Sequence, residues 1–132
     1  MTVRVVLDTN FLFIPSEFKI DIFEALLALL GGHVEPVLLS TNYDELKVMA
    51  REAPAMLRKK AFFAMRLAEK CRIVEVDRSD GETSDDVLLS IAESWKSPVA
   101  TNDAELRRKL RARNIPVIFL RGRKRLELEG SL

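Results

Sequence analysis

A chain of 132 residues, 48% hydrophobic and 31% charged, can bury one core but not two, so the expectation is a single domain over residues 1–132. Its lone cysteine excludes a disulfide framework and a cysteine-ligated metal, and its longest apolar run, Ala25 to Leu30, is far short of the roughly 20 residues a membrane helix needs. The net charge of +1 conceals a separation, because nine of the 21 basic residues and none of the 20 acidic ones lie between Arg107 and Arg125, which suggests a polyanionic ligand. The apolar start, Met1 to Leu7, is too brief for a signal peptide, so the expected location is cytoplasmic.

Thr2 to Leu7 is a valine-rich run that stops at Asp8, Thr9 and Asn10, which predicts a buried strand followed by a loop. Within Lys19 to Leu30, apolar residues recur at helical spacing (Ile20, Phe23, Leu26, Leu27, Leu30), and Gly31-Gly32 ends that helix. Val34 to Leu39 is a second strand, with Pro36 expected near its start. Ser40 and Thr41 are natural caps for a helix through Tyr43 to about Arg51, with Asp44 completing a capping-box variant. Pro54 can open the next helix, Ala55 to Lys70, which precedes the alternating strand Arg72 to Val76. After the turn Ser79-Asp80-Gly81, Ser84 is the expected cap of a helix carrying Val87, Leu88, Ile91 and Trp95. Pro98 to Ala100, Ala104 to Arg113 and Pro116 to Leu120 follow as strand, helix and strand. Strands that alternate with helices predict an α/β domain around a mainly parallel sheet of about five strands.

In open parallel sheets, ligands bind beyond the carboxyl ends of the strands. Five acids fall on that edge: Asp8 after the first strand, Glu45 in the helix after the second, Asp85 and Asp86 in the helix after the third, and Asp103 past the fourth. Each alone has an ordinary explanation, Asp8 as a turn former, Glu45, Asp85 and Asp86 as first-turn acids favoured by the helix dipole, and Asp103 as an N-cap. Asp8 fits its explanation least, because apolar runs flank it on both sides and a carboxylate held between them needs a partner. Together, carboxylates converging on one edge require a cation. An oxygen-only donor set suits Mg²⁺ or Mn²⁺ rather than zinc, and the only histidine, His33, is placed at the opposite end of a strand. No nucleophile and base pair and no phosphate-cradling loop offers another chemistry, which leaves metal-assisted attack on a phosphate ester.

At this point the residues resemble the PIN-domain ribonucleases over nearly the whole chain. Val5 to Asn10 looks like the family's opening strand with its first acid. Leu39-Ser40 and Asp44-Glu45-Leu46 are similar to the second motif, Ser84-Asp85-Asp86 with Leu88, Ile91 and Ala92 to the third, and Ala100 to Asp103 with Leu106 to the fourth. The resemblance implies a three-layer α/β/α domain and an endoribonuclease. In it, Asp8, Glu45, Asp85 and Asp103 would hold one or two Mg²⁺ or Mn²⁺ ions, and hydrolysis would leave 5′-phosphate and 3′-hydroxyl ends. Thr9, Asn10, Asp86, Thr101 and Asn102 would orient carboxylates or waters. The paired Asp85-Asp86 and the ending Pro116 to Leu126 resemble the ribosomal-RNA-processing members of the small-subunit processome type and their archaeal relatives, which implies a ribosomal RNA precursor as substrate.

RNA contacts are expected from Arg107, Arg108, Lys109 and Arg111, and from Arg121, Arg123, Lys124 and Arg125 in a basic C-terminal segment, 121–132. Arg121, Arg123 and Arg125 are expected to alternate onto one face of an extended stretch. Three rival readings stand beside this one: a ribonuclease toxin with an antitoxin partner, a non-catalytic RNA-binding scaffold among ribosome-assembly factors, and, last, a receiver-like signalling domain, which would want an acid pair where this chain has Asp8 alone. The apolar helix after Lys19 leaves a homodimer open, and no membrane partner is expected.

Overall fold

The structure, a computed structural model, describes residues 2–132; Met1 lies outside it. Strand β1, Thr2–Leu7, ends in Val5, Val6 and Leu7, all fully buried, because it lies between two parallel neighbours and is covered on both faces. Strands β2 (His33–Leu39) and β3 (Arg72–Val74) extend the sheet to one side. Strands β4 (Val99–Ala100), β5 (Val117–Arg121) and β6 (Arg125–Glu129) extend it to the other, giving the order β3-β2-β1-β4-β5-β6. The first five are parallel, and β6 returns antiparallel to β5. The chain therefore reverses its direction of travel across the sheet between β1 and β4. Beyond the carboxyl ends of those two strands lies the crevice in which such sheets bind their ligands.

Alternation along β1 sends Val5 and Leu7 to one face and Val6 to the other, so two cores form. Val5 and Leu7 pack with Phe11, Leu26, Leu38 and Leu46, while Val6 packs with Val37, Leu88, Val99, Leu106 and Leu110. Helices α2 (Ile22–Leu30), α3 (Ser40–Glu52) and α4 (Ala55–Ala68) supply the first core. Helices α5 (Ser84–Trp95) and α6 (Ala104–Ala112) supply the second. This is the expected α/β/α arrangement with a mainly parallel sheet, of six strands rather than about five. None of the described helices is long and apolar enough to cross a membrane.

Several local expectations are corrected. The stretch after Asp8 is a 3₁₀ turn, Thr9–Phe13, running into the short helix α1, Ile14–Phe18, and not an open loop. Its Phe11, Leu12 and Ile14 are fully buried, and tertiary burial overrides the turn signal of Asp8-Thr9-Asn10. Helix α2 starts only at Ile22, because the Asp21 carboxylate caps it by accepting from the Phe23 and Glu24 N–H groups. Pro36 stands in the middle of β2, paired with Val5. Pairing with β3 begins only at Val37, so one side of Pro36 carries no strand and its missing N–H breaks no ladder there. Helix α3 begins at Ser40 with no side-chain cap, and Asp44 pairs with Lys47 at 3.1 Å instead of closing a capping box. Arg121, Arg123 and Arg125 do not share an extended face. Arg121 ends β5, Arg123 sits in the hairpin turn at φ +63°, and Arg125 opens β6 opposite Arg121.

Candidate active site

Asp8 follows the last residue of β1 and is only 5% exposed. Its Oδ1 accepts from the Thr9 N–H at 2.9 Å, and its Oδ2 accepts from the Thr101 hydroxyl at 2.7 Å. Thr101 is fully buried just past β4, so this second bond ties the two strands together across the crevice. The Thr101 oxygen in turn accepts from the Asp103 N–H at 3.1 Å. Asp103 caps α6, its Oδ1 accepting from the Glu105 and Leu106 N–H groups at 2.9 and 3.2 Å, so its ordinary explanation holds and still leaves the other carboxylate oxygen without a donor among the described residues.

On the other side of Asp8, Glu45 projects from the second turn of α3. Its Oε1 accepts from the Thr9 hydroxyl at 3.0 Å and from the Asn42 amide at 3.4 Å. Asn42 also donates to the Thr9 oxygen at 2.9 Å, so Thr9 is a relay between a buried amide and an exposed carboxylate. Asn42 was not among the residues expected here. It is fully buried, and its Oδ1 has no hydrogen-bond partner among the described residues. The signal available in the sequence was its spacing: three residues before Glu45, it shares that residue's helix face.

Asn10 and Asn102 act as latches. The Asn10 Oδ1 accepts from the Asn102 N–H at 3.1 Å, and the Asn102 Oδ1 accepts from the Leu120 N–H at 3.0 Å, which joins the turn after β1, the end of β4 and the end of β5.

Asp85 and Asp86 face different surroundings. Asp86 closes a capping box with Thr83, its Oδ2 accepting from the Thr83 N–H at 3.0 Å while its own N–H donates to the Thr83 hydroxyl at 3.1 Å. Thr83 is thus the cap of α5, and Ser84 is the first helical residue. The Thr83 bonds hold the Asp86 carboxyl below the usual range. Asp86 is exposed, and its carboxylate is engaged at the helix start. Asp85, half-buried, moves the opposite way. Burial raises its pKa, and the negative charges of Asp103 and Glu45 raise it further.

Asp8 shows the same effect more strongly. Burial is the largest cause and the charges of Asp85 and Glu45 add to it, against the lowering bonds from Thr101 and Thr9, so that its pKa is pushed up from 3.8 to about 6. Asp8 is therefore close enough to feel the charges of Asp85 and Glu45, and Asp85 those of Glu45 and Asp103. Among the described residues, no three His, Cys, Asp or Glu side chains stand near enough to close around one ion as placed. Asp8 is pinned by two hydrogen bonds, and Glu45 is held through Oε1 by Thr9 and Asn42, whereas Asp85 is half-exposed. All the donors are hard oxygens, and this mutual repulsion is what a divalent cation would relieve, so the donor set fits Mg²⁺ or Mn²⁺. Cys71 offers no competing thiolate, since burial pushes it to about 12, and His33 is exposed at the amino end of β2.

Grooves flank the acids. One of about 710 Å³ runs from Glu45 along Thr41, Val48, Met49 and Arg78. On the opposite side, a smaller one of about 310 Å³ starts at Thr101 and Asn102 and is walled by Phe18, Arg107, Phe119 and Arg123. A third, apolar groove of about 460 Å³ on α4, lined by Met56, Arg58, Lys59 and Phe62, shares no residue with the acid cluster.

The expected RNA-binding cations are mostly engaged with carboxylates. Arg107 and Arg111 pair with Glu129 at 3.2 and 3.9 Å, Lys109 with Glu105 at 3.6 Å, and both Arg121 and Arg125 with Glu127. Of that group, Arg108, Arg123 and Lys124 have no ion-pair partner among the described residues.

A family model described as a PIN-like domain matches residues 5–123. A protein of Methanocaldococcus jannaschii named Ribonuclease VapC4 is 31% identical over 129 residues, which span 98% of each chain. Ribonuclease VapC9 of Archaeoglobus fulgidus is 41% identical over 69 residues, 52% of this chain and 48% of that one. Among solved structures, the PIN domain endonuclease Utp24 superposes with a TM-score of 0.79 at 26% identity, covering 98% of this chain and 92% of that one. A domain of unknown function from Methanocaldococcus jannaschii superposes at 0.65 with 19% identity, covering 98% of this chain and 99% of that one, a likeness of fold alone.

Proposed function

The chain belongs to the PIN-like domain family, and on that premise we propose that it is a divalent-metal-dependent endoribonuclease acting through Asp8, Glu45, Asp85 and Asp103. The observation that carries this reading is the placement of Asp8 at the crevice between β1 and β4, where it is almost fully buried, bonded to the Thr9 N–H and the Thr101 hydroxyl, and linked through Thr9 to Glu45 and through Thr101 to Asp103. The ribonuclease names of its relatives and the endonuclease likeness support the same chemistry.

In this reading, Asp8, Glu45, Asp85 and Asp103 would hold one or two Mg²⁺ or Mn²⁺ ions. A bound cation supplies positive charge where the phosphodiester gains negative charge during hydrolysis. The protein's own contribution is positional. Thr101 and the Thr9 N–H fix the Asp8 carboxylate, and Thr9 and Asn42 aim Glu45. Asn10 and Asn102 keep the ends of β4 and β5 at a constant distance from Asp8. Asp85 reaches the cluster from α5, and the helix dipole at that N-terminus favours its ionised form against the repulsion.

Within this function, the substrate we favour is a ribosomal RNA precursor, on the strength of the paired Asp85-Asp86 and the ending Pro116 to Leu126. A second reading, a ribonuclease toxin bound by an antitoxin, is favoured by the exposed apolar face of α4, where Met56 is 77% and Phe62 61% exposed. Both readings place the protein on RNA in the cytoplasm, and both share one test. Single-stranded RNA incubated with purified protein and Mn²⁺ or Mg²⁺ should be cut to products with 5′-phosphate ends, EDTA should stop the reaction, and Asp8→Asn should lose it. Full cleavage in EDTA, or by Asp8→Asn, would overturn the assignment.

A further inference from the structure

The 310 Å³ groove on the β5 side of the acid cluster combines three features that the catalytic carboxylates do not explain. First, its walls pair cations with aromatic rings: the Arg107 guanidinium lies 3.8 Å from the centre of the Phe119 ring, and that of Arg123 lies 5.9 Å from the centre of Phe18. Second, it opens at Thr101 and Asn102, the residues between β4 and Asp103, so whatever occupies it adjoins the acids directly. Third, Arg123 is held at φ +63° immediately after Gly122 at φ +62°. A hairpin turn of this kind asks for Gly or Asn at both positions, and an arginine there is strained. Arg123 also has no carboxylate partner among the described residues, whereas Arg121 and Arg125 on either side of the turn both have one. A strained, unpaired cation at a hairpin tip, facing an aromatic ring beside the acids, is placed for a ligand.

We propose that this groove is a nucleotide subsite for the residue next to the scissile phosphate, with Arg123 on its phosphate and its unpaired base against Phe18 and the Arg107–Phe119 stack. The inference rests on the ribonuclease reading and extends it: the substrate must offer an unpaired nucleotide at the cleavage point. A base in a duplex has its faces covered by neighbours, while in single-stranded RNA those faces are free to stack on aromatic rings and guanidinium planes.

The test uses the full-length protein and a fluorescent single-stranded RNA oligonucleotide, alone and annealed to its complement. Binding is followed by anisotropy in EDTA and cleavage in Mn²⁺. Arg123→Gly removes the cation and relieves the turn, so its melting temperature should hold or rise while single-strand affinity falls about tenfold. Phe18→Leu keeps an apolar side chain in place and removes the ring. It should weaken single-strand binding by a similar factor and leave duplex binding unchanged, and in cleavage both variants should raise KM far more than they lower kcat. If Phe18→Leu fails to fold, Arg123→Gly decides alone. Wild-type cleavage with unchanged KM in both variants overturns the subsite. Equal losses on single strand and duplex overturn the base contact. Wild-type protein that neither binds nor cuts RNA overturns the ribonuclease reading itself, and the subsite falls with it.

Discussion

At the scale of single residues, Asp8 is a carboxylate that the fold buries at a cost to its ionised form, a cost the proposed metal would offset. Its pKa of about 6 in the fold lies above its ordinary 3.8, so the folded protein without metal takes up a proton between those values. Stability contributed by this group is therefore lost as pH rises from 3.8 to 6 and stays lost above, a penalty on the order of 3 kcal/mol at 1.36 kcal/mol per pKa unit. Asp8→Asn keeps the size of the side chain and cannot ionise. In EDTA it should raise the melting temperature at pH 8 and leave it nearly unchanged at pH 4. Added Mn²⁺ should stabilise the wild type above pH 6 and have little effect on the variant, because a ligand stabilises only the state that binds it. Thermal melts at the two pH values, with and without metal, check this, and a variant less stable than wild type at pH 8 in EDTA would show that Asp8 carries no such penalty. Asp8 is conspicuous in the sequence because it sits between two apolar runs. Asn42 is not, because a polar residue early in a helix is ordinary unless the residue it supports is already known.

At the scale of elements, the start of α5 shows how a motif of two adjacent acids divides its work. Consecutive helical residues point about 100° apart, so a helix that aims Asp85 at the sheet edge must turn Asp86 aside, and Thr83 is there to receive it. Asp85→Asn should abolish cleavage with little loss of stability, since it also removes a repulsion from Asp103 and Glu45. Asp86→Asn weakens the capping box and should lower the melting temperature while most activity remains. Cleavage rates and melts on the two purified variants separate the roles, and equal residual activity would refute the division. The sequence places this cap one residue late because Ser84 is at least as good a cap as Thr83, and the capping box that Asp86 closes with Thr83 decides between them. Strand β6 is legible in principle, since Leu126 and Leu128 alternate with Glu127 and Glu129, but the basic run ahead of it masks that period with charge. The apolar helix α2 is mostly covered by the first core, with Leu27 exposed at 45%, and the face left open belongs to α4.

At the scale of the whole molecule, the parallel sheet is readable from the alternation of strands with helices, and the acid edge follows from it. What cannot be read is which charges the fold engages within itself. The nine basic residues from Arg107 to Arg125 carry no acid among them in sequence, yet β6 returns Glu127 and Glu129 to their side, and Arg113 reaches Glu93 of α5 at 3.7 Å. A cation already paired in the fold releases fewer counterions from RNA than a free one, so the salt dependence of binding should report the unpaired set. Within the basic run Arg107 to Arg125, Arg108, Arg123 and Lys124 are the ones with no carboxylate partner among the described residues. Replacing all three with Gln should flatten the slope of log K against log salt on a single strand by roughly 0.7 for each phosphate no longer neutralised, about 2 in all, with the melting temperature unchanged. Replacing Arg107 and Arg111 instead should loosen Glu129 and the β6 hairpin, lowering the melting temperature and moving the slope less. Affinity titrations of single-stranded RNA from low to moderate salt, beside melts of both variants, distinguish the two. If the Arg107 and Arg111 variant shows the larger change in slope, the ion pairs with Glu129 open on binding and the paired arginines line the RNA path.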